Sequence, residues 1–278
     1  RVDRRQRQMC IRDSLNMDKK LKIALAQLNP LVGDVFGNID KLITVRSKLN
    51  SEVDILVAPE LYISGYPIDD LVLREDFLNL VESEIKKLVE ITKDGKSAII
   101  VGAPRKDNKA IKNSVYVIEN GKIVEIRDKY ELPNTGVFDE QRIFTQGQLE
   151  SCVKIKNIKF GLPICEDIWE KTVLEKLSKS GAEIIISINA SPFTTSKSFE
   201  RDQVTLSRVK EIKLPLIYLN RTGGQDELIF DGSSFALNHD GNKFFCSSEF
   251  KEEVSIIDFT KKNGKWIGSG NLNKNTSE

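Results

Sequence analysis

SAIIVGAP (97–104) and, ten residues on, SVYVIENGKIVEIRD (114–128) decide the fold class of this chain. The first is an apolar run of the kind buried inside a sheet. The second is a pair of strands that turn at Asn120–Gly121, two residue types that tolerate positive φ and so suit a tight hairpin. Working outward, LKIALAQL (21–28) reads as a strand ended by Asn29–Pro30, and Ile39, Leu42, Ile43 and Leu49 follow at helical spacing. DILVAPE (54–60) is a short buried strand, and Phe77, Leu80, Val81, Ile85, Leu88 and Ile91 stripe one face of a second helix. On the other side come IKFGLPICE (158–166), a helix near 168–180, AEIIISINAS (182–191), a helix over about 198–213, LPLIYLN (214–220) and the strand-rich segment 228–259. Alternation of strands and helices alone would imply one doubly wound parallel sheet. Hairpins inside it predict an α/β protein of stacked sheets covered by helices.

The chain has 278 residues, enough for one large α/β domain or two small ones. Without its first sixteen residues, which carry five Arg and two Asp, the 42 basic and 41 acidic residues become 37 and 39, a net charge of −2. A basic footprint for nucleic acid is therefore absent. No apolar run approaches the ~20 residues that span a bilayer, so no membrane partner is expected. Four scattered Cys and no secretory signal predict a reducing cytoplasm. The single His, His239 in NHDG, argues against a His-cluster metal site, and its place between two strands predicts a hairpin tip. Residues 1–16 lack periodicity and precede Met17, so they read as foreign sequence or a disordered segment. Residues 260–278, polar and rich in Gly, Asn and Lys, read as a linker or frayed tail.

Three polar residues stand at predicted strand ends: Glu60 after Ile55–Ala58, Lys129 after the hairpin, and Cys165 after Phe160–Ile164. Taken singly, each has a bland reading: a small buried thiol, a solvated carboxylate, a solvated ammonium. Together they suit a thiol nucleophile that lacks a His. Glu (~4.3) is about four pK units too acidic to deprotonate Cys (~8.5). Burial would raise Glu60 and the Lys129 cation would lower Cys165, which predicts that the gap closes.

The stretches PELYISGYP (59–67), RDKYELPN (127–134) and LPICEDIW (162–169) resemble, in order and spacing, the nitrilase or carbon–nitrogen hydrolase superfamily. LPNTGVFDEQR (132–142), NASPFTTSK (189–197) and GGQDELIFDGSSF (223–235) narrow the resemblance to the glutaminase domain of glutamine-dependent NAD synthetases. It covers about residues 20–259 and implies an α-β-β-α sandwich that hydrolyses the glutamine side-chain amide. Carried over by position, Glu60 is the base, Lys129 stabilises the intermediate and Cys165 is the nucleophile. Glu140 positions the trio or the substrate amide; on mechanistic grounds the backbone N–H of Glu166 is expected to help Lys129 stabilise the oxyanion. Trp169, Ser191 and Lys197 hold the glutamine backbone groups, while Tyr66 lines the pocket mouth.

The resemblance also implies what lies outside the chain. Gly223–Gly224 lacks the Ser and Asp-Ser of a pyrophosphate loop and precedes a strand, so ATP and Mg belong only to a synthetase domain not found here. That predicts a glutaminase domain over 17–259, with 260–278 as the linker or truncated start of the synthetase, homo-oligomer formation, and no cofactor in this chain. Thr135 stands where the family commonly has Tyr. The irregular segment 129–142 is expected to pack at the pocket mouth, with Thr135 to Phe138 at or near an interface. Alternatives are a stand-alone amidase for another small amide and a non-catalytic assembly domain. Cys152 and Cys246 read as structural, Glu166 and Asp167 as weak candidates for metal ligands, and Asp69–Asp70 as caps of the following helix turn.

Overall fold

The computed structural model describes residues 19–272, and the segment 1–16 and the last residues of the tail lie outside them. The chain runs β1 (Lys20–Gln27), α1 (Val35–Lys48), β2 (Ile55–Val57), α2 (Glu75–Ile91), β3 (Ala98–Asp107), β4 (Ala110–Glu119), β5 (Lys122–Asp128) and the single-turn α3 (Glu140–Ile143). It continues as β6 (Val153–Ile155), β7 (Ile158–Gly161), α4 (Lys171–Lys179), β8 (Ile184–Asn189), α5 (Lys197–Ile212), β9 (Leu216–Asn220), β10 (Thr222–Gln225) and β11 (Leu228–Asp231). β12 (Phe235–Leu237), β13 (Lys243–Cys246), β14 (Glu253–Lys262) and β15 (Lys265–Ser269) complete it.

Two mixed sheets result, ordered β15-β14-β1-β2-β3-β4-β5 and β13-β12-β9-β8-β7-β6, with β10 and β11 as a separate ribbon. Parallel pairing is confined to their centres, β1-β2-β3 and β7-β8-β9. Side-chain alternation along the central strands makes the layers. In β1, Leu21, Ile23 and Leu25 face a core shared with Ile184, Ile186 and Ile188 of β8. The intervening Ala24 and Ala26 face Ile39 and Leu42 of α1 and Val81, Ile85 and Leu88 of α2. On the far side, Ile185 turns toward Val173, Leu174 and Leu177 of α4 and Val209 of α5. Three apolar seams therefore separate four layers, α-β-β-α.

The expected hairpin is present. β4 and β5 pair around a two-residue loop whose Asn120 and Gly121 have φ of 51° and 73°. His239 lies in the turn between β12 and β13, and Gly223 and Gly224 lie in β10 rather than at a helix start. Two expectations are corrected. Residues 260–269 are neither linker nor tail: β14 runs to Lys262 and β15 extends the first sheet. Trp266 is buried between the sheets, so the domain passes the expected boundary at 259. A single Trp in a polar, Gly-rich run gave too little alternation to mark an edge strand. Asp69 and Asp70 do not cap. They open a short 3-10 turn with no side-chain cap bond, and Asp70 instead accepts from Arg142.

Candidate active site

Glu60 and Lys129 follow strands of the first sheet and Cys165 follows a strand of the second, and the sandwich brings the three together. β2 leads into Ala58–Pro59 and delivers Glu60, which is fully buried. β5 ends at Asp128, and the next residue, Lys129, is fixed by its own backbone: its N–H donates to Asn113 and its carbonyl accepts from Gly147, both at 2.8 Å. Its ammonium, also buried, donates to Glu60 Oε1 at 2.7 Å and to Glu140 Oε1 at 2.9 Å. Asn113 Nδ2 donates to the same Glu60 oxygen at 2.8 Å. The second oxygen, Oε2, accepts the N–H of Ala190 at 2.9 Å, just past β8. A carboxylate of the first sheet is thus gripped by a backbone amide of the second.

Cys165 is not at the end of a strand as expected. β7 stops at Gly161, Ile164 makes a bridge to Ile188, and Cys165 opens a 3-10 turn over Cys165–Ile168. Its φ is 46°, in the left-handed region that a side chain with a Cβ rarely adopts. Such strain persists where surroundings over-determine it, as at reactive sites. The thiol is buried, and burial pushes it well above the usual thiol range, as does Glu60, while Lys129 pulls the other way. The expectation that Lys129 brings the resting thiol down is therefore corrected: burial and the neighbouring carboxylate outweigh it. For Lys129, burial opposes the charge, but Glu140 and Glu60 overcome it and hold the ammonium well above its ordinary value.

Glu140 sits at the start of α3, where its N–H donates to Pro133 at 3.1 Å. Tyr66 Oη donates to its Oε1 at 3.1 Å, and its Oε2 is buried without a hydrogen-bond partner. Burial pushes this carboxyl up to about 7, with Lys129 opposing and Glu60 assisting. Tyr66 is itself buried and borders a small recess with Val137, Asp139 and Glu140. The segment 134–137 is exposed at the recess rim, whereas Phe138 is half-buried against the helix-side core.

The remaining candidates make separate contacts. Lys197 Nζ lies 4.3 Å from the centre of the Trp169 ring. Glu166 is half-buried, and burial raises its carboxyl against the pull of Lys129 and Lys197. Ser191 is drawn inward: its N–H donates to Asn220 Oδ1 at 2.9 Å, and its Oγ accepts from Arg201 Nε at 3.2 Å. Sequence reasoning missed Asn113, the Ala190 amide, the buried Arg201–Asp231 pair and Arg221. Arg221 donates to the carbonyls of Tyr66 and Pro30 and lies 4.3 Å from the Phe230 ring centre. Among these, only Arg221 and Asp231 carry a signal in the sequence, as charges at the ends of apolar runs, whereas Arg201 lies among the many charges of α5. Among the described residues no group of three or more His, Cys, Asp or Glu could hold a metal ion. No helix there is long and apolar enough to cross a membrane, and Cys152 and Cys165 are free thiols.

Other proteins share this architecture. The chain is 36% identical over 251 residues to a glutamine-dependent NAD(+) synthetase of Rhodobacter capsulatus, covering 90% of this chain and 45% of that protein. It superposes with a TM-score of 0.85 and 31% identity on the glutamine-dependent NAD+ synthetase of Acinetobacter baumannii, covering 94% of this chain and 49% of that one. A carbon-nitrogen hydrolase of Helicobacter pylori shares the fold over 86% of this chain and 89% of its own, at a TM-score of 0.76 and 22% identity. The chain thus spans about half the length of the synthetases it matches. The carbon-nitrogen hydrolase family model matches residues 22–266, β1 through the buried Trp266 of β15, and the chain belongs to that family.

Proposed function

We propose that this chain hydrolyses the side-chain amide of glutamine through a thioester on Cys165, and that the ammonia serves NAD synthesis. The observation that carries the reading is the buried Lys129 held between Glu60 and Glu140 at 2.7 and 2.9 Å. Two of the three ammonium N–H groups serve these carboxylates, which leaves one for a developing oxyanion. Cys165 Sγ attacks the amide carbon as Glu60 takes the thiol proton, the task that a raised thiol requires. The tetrahedral oxyanion is held by Lys129 and the Glu166 N–H. Collapse expels ammonia with the proton from Glu60, leaving a thioester. Glu60 then deprotonates a water that attacks the thioester carbon, and the thiol leaves with that proton. The unpartnered Glu140 Oε2 suits one N–H of the substrate amide. Glu166, Ser191, Lys197 and Trp169 suit the charged amino-acid end.

The relatives' name supports a role beside an NAD synthetase domain, to which ATP and Mg would belong, in the cytoplasm, and the exposed residues 135–137 leave room for a homo-oligomer contact at Thr135 to Phe138. A panel of small amides with ammonia detection tests the reading, with Cys165→Ala as control. Glutamine preferred, and no release by the variant, is the expected result. Preference for another amide would indicate a stand-alone amidase, and equal release by Cys165→Ala would remove the thiol mechanism.

A further inference from the structure

Asp167 lies two residues past Cys165, is buried, and spends both carboxylate oxygens on backbone amides. Oδ1 accepts the N–H of Tyr130 at 3.1 Å and of Glu131 at 2.7 Å, the two residues that follow Lys129. Oδ2 accepts the N–H of Ile164 at 2.9 Å, the residue that precedes Cys165. One side chain therefore joins the ammonium-bearing loop of the first sheet to the thiol-bearing turn of the second. Its own N–H closes the turn onto the Ile164 carbonyl at 3.1 Å. Three backbone amides thus occupy most of its acceptor sites.

We infer that Asp167 is a positioning residue that sets the distance between Lys129 and Cys165 and holds Cys165 in its left-handed conformation. This deepens the thiol-amidase reading and rests on it. The need for such a clamp follows from the topology. Lys129 hangs on β5, an edge strand of one sheet, and Cys165 follows β7 in the other, so no ladder of hydrogen bonds fixes one against the other. Burial pushes the Asp167 carboxyl up to about 7, while the three amides favour its charged form.

Asp167→Asn separates the two halves of the clamp. Its carbonyl oxygen can still accept from Tyr130 and Glu131, but its NH₂ faces the Ile164 N–H, donor against donor. The expected result is a kcat for glutamine lower by about 10²-fold, as a misplacement near 1 Å costs. KM should stay within about threefold, because the substrate-holding groups Trp169, Ser191 and Lys197 are untouched. Hydrogen exchange resolved by peptide should show the Ile164 amide losing protection while Tyr130 and Glu131 keep theirs. Asp167→Glu, which keeps the charge but is one methylene longer, should not restore kcat. An unchanged kcat, or an Ile164 amide as protected as in the parent, would overturn the inference. Full rescue by Glu would also overturn it, by showing that charge alone matters. If Asp167→Asn does not fold, Asp167→Ser repeats the test, and failure of both to fold would make Asp167 a general fold determinant and remove the positioning role. The exchange measurement needs no turnover, so a parent protein inactive on glutamine would count against the proposed function and leave the clamp to be decided by exchange.

Discussion

Two buried ionic clusters meet at adjacent residues and differ in how completely they are satisfied. The Ala190 amide holds Glu60, and the next residue, Ser191, holds Arg201. Arg201 and Asp231 form a neutral pair in which all five guanidinium N–H groups find acceptors. Nη1 takes both Asp231 oxygens at 2.9 and 2.8 Å, Nη2 takes the carbonyls of Ser191 and Pro192, and Nε takes Ser191 Oγ. The Glu60–Lys129–Glu140 cluster has two carboxylates for one ammonium, an orphaned carboxylate oxygen and a strained thiol beside it. A satisfied, balanced cluster fixes geometry. An unbalanced one stores groups that a substrate can complete, which is where chemistry is found.

The largest effect should fall on the unbalanced cluster. Glu60→Gln keeps the shape but cannot accept the thiol proton, so glutamine turnover should drop by about 10³–10⁴-fold. Turnover within tenfold of the parent would move the base elsewhere. The balanced cluster should answer in stability instead. Arg201→Met strands Asp231 in the interior and should cost about 3–5 kcal/mol in denaturant unfolding, whereas Arg201→Met with Asp231→Leu should recover most of that loss. A double variant as unstable as the single one would contradict the distinction drawn between the clusters.

Much of this was legible in the sequence, and the reason differs by feature. Glu60 and Cys165 follow apolar runs that are legible in any fold, though Cys165 stands in a turn beyond its strand, and Asn120–Gly121 names its own turn ahead of Lys129. The four layers were implied by resemblance and are explained by the alternation of Leu21, Ile23 and Leu25 against Ala24 and Ala26. β15 was not legible, because an edge strand buries one face only, here through Trp266. Asn113, the Ala190 amide and the role of Asp167 were not legible either. Each acts through a contact between segments far apart in the chain, and a backbone N–H carries no residue identity. The state of the Cys165 thiol was misjudged because burial, not its charged neighbour, dominates it.

Smaller effects sharpen the comparison. The Glu140 carboxyl is raised from 4.5 to about 7 by burial, so its folded form binds a proton that the unfolded chain has released. Its contribution to stability is therefore present at low pH and lost as pH rises from about 4.5 to about 7. Asp167 adds a slope of the same sign. Glu140→Gln should flatten the fall measured by denaturant unfolding at several pH values in that window, and an unchanged slope would show that Glu140 does not titrate there. The smallest effect is at Trp169. Trp169→Ala removes the ring beneath Lys197, a contact of about 0.5–2 kcal/mol, and should raise KM for glutamine by a few-fold to roughly thirtyfold while sparing kcat. A fall in kcat with KM unchanged would assign Trp169 to the chemistry instead.

The central claim is that Cys165 forms a covalent acyl intermediate with glutamine. Incubation with an electrophilic glutamine analogue, followed by mass spectrometry of the peptides carrying Cys152, Cys165 and Cys246, measures it most directly. The account predicts one adduct, on Cys165, suppressed by excess glutamine and lost in Glu60→Gln. An adduct on Cys152 or Cys246 alone, or labelling of Cys165 that glutamine does not protect, would contradict it.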